Sequence, residues 1–168
     1  YSDYLHPVDE NYVIGVGKET GTNEWGGVSV KGIKIALFDV RDSTNPKLVD
    51  KYQFEDSSDS ESLYEHKAFL FDKEKKLLVI PVSIVRNTPK YMDRYGIYVS
   101  NVWQGAYVFS VDTATGFTLK GKVSHSEEYE NYNWYYDSIY SVKRSLFMAG
   151  TSGDVLYTLS KSKILMND

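Results

Sequence analysis

Over residues 33–40 the apolar positions do not alternate with polar ones. Ile33, Ile35 and Leu37 fall on one side of an extended strand, and Ala36, Phe38 and Val40 on the other. A strand apolar on both sides belongs to a sheet held between two neighbours, not to one with a face in water. The polar break "RDSTNPK" follows, in which Asp42, Ser43 and Asn45 can bond their own backbone and Pro46 fixes φ ahead of the next strand. The returning "KLVDKYQF" is thinner in apolar residues and reads as an outer edge strand.

This unit recurs. Residues 105–125, "GAYVFSVDTATGFTLKGKVSH", repeat the apolar strand, the turn over residues 112–116 and the Lys-bearing outer strand; "DVLYTLSKSKILMND" begins a third copy. The segments ahead of each hairpin also correspond: "YLHPVDENYVIGVG", "YEHKAFLFDKEKKLLVIPVS" and "YDSIYSVKRSLFMAG", each opening on Tyr-x-His or Tyr-x-Ser at Tyr4, Tyr64 and Tyr136. Within each, a strand ending near Val8, Phe71 or Tyr140 turns into a second strand at Tyr12, Leu77 or Leu146. The spacing of roughly 60 to 70 residues exceeds the ~40–50 of ordinary propeller blades. The excess lies in "GKETGTNEWGGVSVK" and "RNTPKYMDRYGIYVSNVWQ", insertions on the same connection that would decorate one surface.

These patterns predict an all-β, propeller-like chain of about three four-stranded antiparallel blades, approximately residues 4–56, 64–125 and 136–168. A β-sandwich or single barrel is the plainer alternative. Pro81 weighs against a central strand at its position unless it marks a bulge or a strand end. Three blades do not close a ring, for which 4 to 8 are usual. The arc therefore either belongs to a longer propeller or is completed by self-association, and its two end faces would be apolar.

Composition narrows the function classes. The 168 residues carry a net charge of -4, with acids and bases interspersed, so no basic face marks a nucleic-acid partner. With no cysteine there is neither a disulfide framework nor a thiolate metal site. No apolar run is long enough for a membrane helix, so membrane insertion is not expected, and Tyr1-Ser2-Asp3 is not a secretory signal.

The segments "YEHKAFLFDKEKKLLVIPVS", "GAYVFSVD" and "RSLFMAGTSGDVLYTLSKSKI" resemble the family of secreted archaeal and bacterial proteins with a carboxy-terminal β-propeller distantly related to WD-repeats. "FDVRDSTNPKLVDKY" also resembles a short repeat of prokaryotic surface proteins with a "DVSDPxNPxLV"-like turn. The resemblance implies a propeller and an extracellular or cell-envelope setting, and it brings no catalytic residues.

The chemistry on offer is sparse. His6, His66 and Ser138 share a repeat position and read as structural, since a metal needs three or four converging ligands and separate blades hold equivalent positions far apart. His125 has no repeated counterpart and reads as exposed. The acidic run "EDSSDSESLYE" lacks calcium-loop spacing and reads as a solvated connector; "GKETGTNEWGG" lacks a phosphate-loop signature. Tyr129, Tyr132, Trp134 and Tyr135 cluster beside acids, with Trp25 and Trp103 on the insertions. Such aromatics can stack on sugars or anchor a protein, and equally can cover a blade junction. No catalytic residue, cofactor or metal site is assigned. The reading is a non-catalytic binding or assembly module contacting protein or glycan; the alternative is a propeller-type hydrolase completed by blades outside this chain.

Overall fold

A computed structural model describes residues 1–22, 24–55, 57–92, 98–125, 131–132, 139–150 and 153–167; of 86–92, 98–101 and 131–132 it describes the strand pairing. The described residues form three antiparallel sheets, none closed into a barrel. The first blade has strands β1 (Tyr4–Pro7), β2 (Tyr12–Thr22), β3 (Val28–Asp39) and β4 (Lys47–Gln53), paired in chain order. A short β5 (Ser58–Asp59) leads into the second blade: β6 (Leu70–Asp72), β7 (Leu77–Met92), β8 (Tyr98–Asp112) and β9 (Gly116–Ser124). β5 pairs with β7, and β10 (Asn131–Tyr132) with β8. The third sheet orders β11 (Arg144–Ala149), β12 (Asp154–Leu159) and β13 (Ile164–Asn167).

Turn chemistry sets the strand ends. Asp9, Asp42, Asp72 and Asp112 each accept backbone N–H bonds from within the turn they open, at 2.7 to 3.0 Å. These four turns share one end of the first two blades. The opposite end carries the β2–β3 and β7–β8 hairpins and the crossover from β4 to β6. The two insertions are therefore extensions of the blades' own second and third strands.

The third sheet differs from the sequence expectation. Among the described residues no strand ends near Tyr140: Ile139 and Tyr140 form a turn, and the Ile139 carbonyl accepts from Ser162 N at 3.0 Å, wrapping this segment round the β12–β13 turn. β11 is the first strand of this sheet among the described residues, where the sequence pattern placed a second strand. Its start meets the crossover through Lys143–Glu61, and the turn after it meets the β6–β7 turn through Lys75–Asp154.

Burial follows the two-residue strand period. Leu78, Ile80, Val82 and Ile84 of β7, with Tyr107, Phe109 and Val111 of β8, face the first blade and meet Ile14, Val16, Ile33, Ile35 and Leu37. The alternate positions Val79 and Ala106 face the third blade with Val142 and Leu156. The middle sheet is thus buried on both faces. Aromatics fill the first junction, with Phe54, Tyr52 and Tyr107 edge-on to one another or to Phe109 at 4.8 to 6.0 Å.

Pro81 sits inside β7, opposite Ala106 of β8. On its other side β6 ends its pairing at Val79 and β5 begins at Ser83, so no strand lies beside Pro81 there. Its carbonyl accepts from Ser60 Oγ on that side. A strand residue's N–H and C=O point the same way, so the missing donor faces the gap and no ladder bond is lost.

The arc's end faces are unlike. On the third blade, Leu146, Met148, Ile164 and Met166 share the outward face at 38 to 66% exposure. On the first blade the outward positions Gly15, Gly17 and Ala36 are small, and the amino terminus lies across them. A methyl at Gly17 would stand 2.0 Å from the Tyr1 carbonyl, and Asp3 N donates to Val16 O.

Candidate functional site

The hairpin end of the blades carries the histidines, the crossover and the inserted loops. Residues 58–62 of the crossover alternate small serines inward with acids outward. Ser58, Ser60 and Ser62 are buried, while Asp59 and Glu61 are half-buried. Backbone meets two of these hydroxyls, Ile33 N donating to Ser58 Oγ and Ser62 N to Ser60 Oγ, which caps the 3₁₀ turn Glu61–Leu63, while Ser62 Oγ has no hydrogen-bond partner among the described residues. Gly32 permits the approach, since a methyl on it would lie 2.0 Å from the Glu55 carbonyl.

Three ion pairs then tie this segment to both neighbouring blades: Lys18–Asp59 at 2.8 Å, Lys143–Glu61 at 2.8 Å and Arg144–Glu65 at 3.8 Å. The expectation of a solvated connector is corrected by this packing. The Glu65 carboxyl caps the second 3₁₀ turn, His66–Ala68, and that bond from Lys67 N holds its pKa below the ordinary value.

His6 and His66 are not remote from each other's surroundings. Tyr4 Oη bonds His6 Nδ1 at 3.1 Å, and the Tyr4 ring stacks on His66 with centroids 6.3 Å apart. Phe69 closes on His6 at 4.8 Å and Phe71 at 5.7 Å. Burial lowers the His6 pKa. The repeated Tyr-x-His is not a repeated structure, for His6 stands in β1 whereas His66 stands in a 3₁₀ turn ahead of β6. Crossing from one blade to the next brings the two rings to one inner edge. Among the described residues no three His, Asp or Glu side chains gather as metal ligands would.

His125 is not on the surface. It is 0% exposed and donates its backbone N–H to Gln104 O, and its Nε2 lies 2.7 Å from Thr158 Oγ1 of the third blade. Its Nδ1 has no hydrogen-bond partner among the described residues. Burial pushes its pKa down to about 4, with Lys163 adding to the effect. Sequence gave no signal for this, since the burial comes from a sheet 33 residues further on.

Of the aromatic candidates, Trp25 stands at the tip of the β2–β3 hairpin, 93% exposed. Trp103 packs edge-on to Tyr107 at 5.3 Å, partly buried against the first junction. Tyr132 lies in β10 opposite Ser100 of β8. Tyr129, Trp134, Tyr135 and Ser138 lie outside the described residues.

Two curated relatives share part of this chain. An uncharacterised protein of Archaeoglobus fulgidus is 38% identical over 81 residues, 48% of this chain and 11% of that protein. The uncharacterised protein MJ1554 of Methanocaldococcus jannaschii is 37% identical over 81 residues, again 48% and 11%. The chain thus matches about a tenth of the length of these relatives. No solved structure matches it. The beta propeller domain family matches residues 1–168. Antiparallel sheets packed face to face, the middle one buried on both faces, agree with that match, and the chain belongs to the beta propeller domain family.

Proposed function

We propose that this propeller segment is a non-catalytic binding and assembly module of a secreted or cell-surface prokaryotic protein, contacting a protein or a glycan through its inserted hairpins. The observation that carries the reading is Trp25, held almost fully exposed at the tip of one blade extension, at the blade end from which the longer β7–β8 extension also emerges. A large, rigid amphipathic ring at a hairpin tip offers a partner wide contact area at little cost in conformational entropy. Assembly rests on the outward face of the third blade, where Met148, Ile164 and Met166 are more than half exposed. A further blade from polypeptide outside residues 1–168 is the occupant favoured. Residues 1–3 lie over Gly15 and Gly17, while Leu5 and Leu48 of the same outward face stay more than half exposed, so the first blade's outward face is only partly covered.

The test is a binding screen against a glycan panel and a cell-envelope protein fraction, with wild type and Trp25→Ala side by side. Loss of a saturable interaction in the variant, with unchanged folding, supports the reading. Equal binding by both proteins, or no saturable binding to either class, removes the hairpin-tip role.

A further inference from the structure

The two junctions between blades are closed by different chemistry. Among the described residues, fifteen buried apolar side chains, Ile14, Ile35 and Phe109 among them, fill the first. The second holds four, Val79, Ala106, Val142 and Leu156, and a groove of about 540 Å³ runs along it over Gly121 and Val123. Elsewhere along that junction the buried contacts are polar. His125 and Thr158, each 0% exposed, meet across it through Nε2 and Oγ1 at 2.7 Å. Ser145 of β11 stands directly opposite Thr158 of β12 and so on the same face, its Oγ buried and without a hydrogen-bond partner among the described residues. Gln104, whose carbonyl accepts the His125 backbone N–H, lies two places before Ala106 and shares its face.

We propose that the second junction is an acid-operated latch: charging of the His125 ring as pH falls below neutral releases the third blade from the second, while the first junction stays closed. This goes beyond the binding role proposed above and does not depend on it. The groups set against the ring decide its response. β8 presents Gln104, β11 Ser145 and β12 Thr158, all neutral, so they can bond an imidazolium but cannot balance its charge. Ahead of β13 stands Lys163, a cation that opposes a second one. Along residues 139–144, the Tyr140 ring lies beneath Lys163, and Lys143 and Arg144 turn to Glu61 and Glu65 of the crossover. Among the described residues no carboxylate bonds the ring.

A charged ring in the closed junction would carry two N–H donors, and Nδ1 has no acceptor in place. A buried charge without a counter-ion is strongly unfavourable, and opening the junction to water relieves it. Burial and Lys163 hold the closed-state pKa down to about 4 against an ordinary 6.5, which agrees in direction. The open state therefore takes up the proton first, so the latch is firm above 6.5 and weakens between 6.5 and about 4. His6 stands at the edge of the first junction, but only half-buried, where water meets the ring, so charging it does not require that junction to open.

Amide hydrogen exchange of this chain, corrected for the intrinsic pH dependence of exchange, tests the latch. In the wild type the protection of β12 should fall about tenfold between about pH 7.5 and about pH 5.5, the factor expected for a ring of pKa 6.5 when open and about 4 when closed. At the lower pH, β12 should exchange at least about tenfold faster than β2 and β3, since the third blade opens by itself. His125→Gln, neutral at both pH values, should abolish the fall. A wild-type fall of less than about twofold overturns the proposal. Equal protection of β12 and of β2 and β3 at the lower pH also overturns it, because the whole chain then opens together. An undiminished fall in His125→Gln does the same, assigning the acid response to the carboxylates of the crossover. The first two comparisons use the wild type alone, so a variant that fails to fold leaves the test intact.

Discussion

Replacing His125 and Thr158 together, as His125→Phe with Thr158→Val, should remove a defined part of the protein's sensitivity to acid. Changing both partners avoids leaving one buried polar atom unpaired, which by itself would cost about 1–3 kcal/mol. In the folded chain the His125 imidazole is neutral, its pKa pushed from 6.5 to about 4 chiefly by burial. The unfolded chain therefore binds the extra proton first as pH falls. This contribution is complete above 6.5 and is lost progressively between 6.5 and about 4, the opposite window to a histidine stabilised by a carboxylate. One proton of difference amounts to about 1.4 kcal/mol per pH unit, so the loss reaches about 1.4 kcal/mol near pH 5.5 and about 2.5 kcal/mol near pH 4.5. Carboxylates with lowered pKa, Glu19 and Asp39 at about 2, add their own losses at lower pH. The informative quantity is accordingly the difference between wild type and double variant, measured by urea unfolding at several pH values. That difference should shrink by the stated amounts as pH falls. A difference constant to within about 0.5 kcal/mol across the window would refute the argument. Exchange of the β11–β13 amides should accelerate first, because the His125–Thr158 contact joins those strands to the second blade.

Other substitutions probe the first junction and the end face. Gly116 has φ of +88°, and a methyl on it would stand 2.1 to 2.4 Å from the Asp50 side chain. Gly116→Ala should cost about 1–3 kcal/mol from backbone strain alone, and part of any further loss should vanish in an Asp50→Ala background, read as a double-mutant cycle by urea unfolding. Phe109, fully buried between Tyr52, Phe54 and Phe117, should cost about 3–5 kcal/mol when replaced by Ala, measured the same way. Met148→Lys with Ile164→Lys should reduce binding of an apolar fluorescent dye by residues 1–168 while changing stability by no more than about 0.5 kcal/mol per site.

Much of the architecture is local in origin, and so it was legible. Runs such as 35–38 and 77–82, apolar at successive positions, require sheets covered on both sides whatever stands next to them, and the Asp-led turns at Asp9, Asp42 and Asp112 bond their own backbone. Repetition of those units along the chain was enough to indicate stacked blades. The strand assignment of residues 139–150 changed because pattern alone does not distinguish a blade's first strand from its second; contacts made by Lys143 and Ile139 with other segments bear on it.

What the sequence by itself determined was the period, the double burial and the turn positions, since each depends on residues within a few places of one another. Tertiary structure alone decided that His125 is buried, that His6 and His66 share Tyr4, that Asp59 and Glu61 are held in ion pairs, and that a groove opens over Gly121. The physical reason is that each of these depends on which face of a neighbouring sheet comes to lie opposite, and that is fixed by packing between segments tens of residues apart.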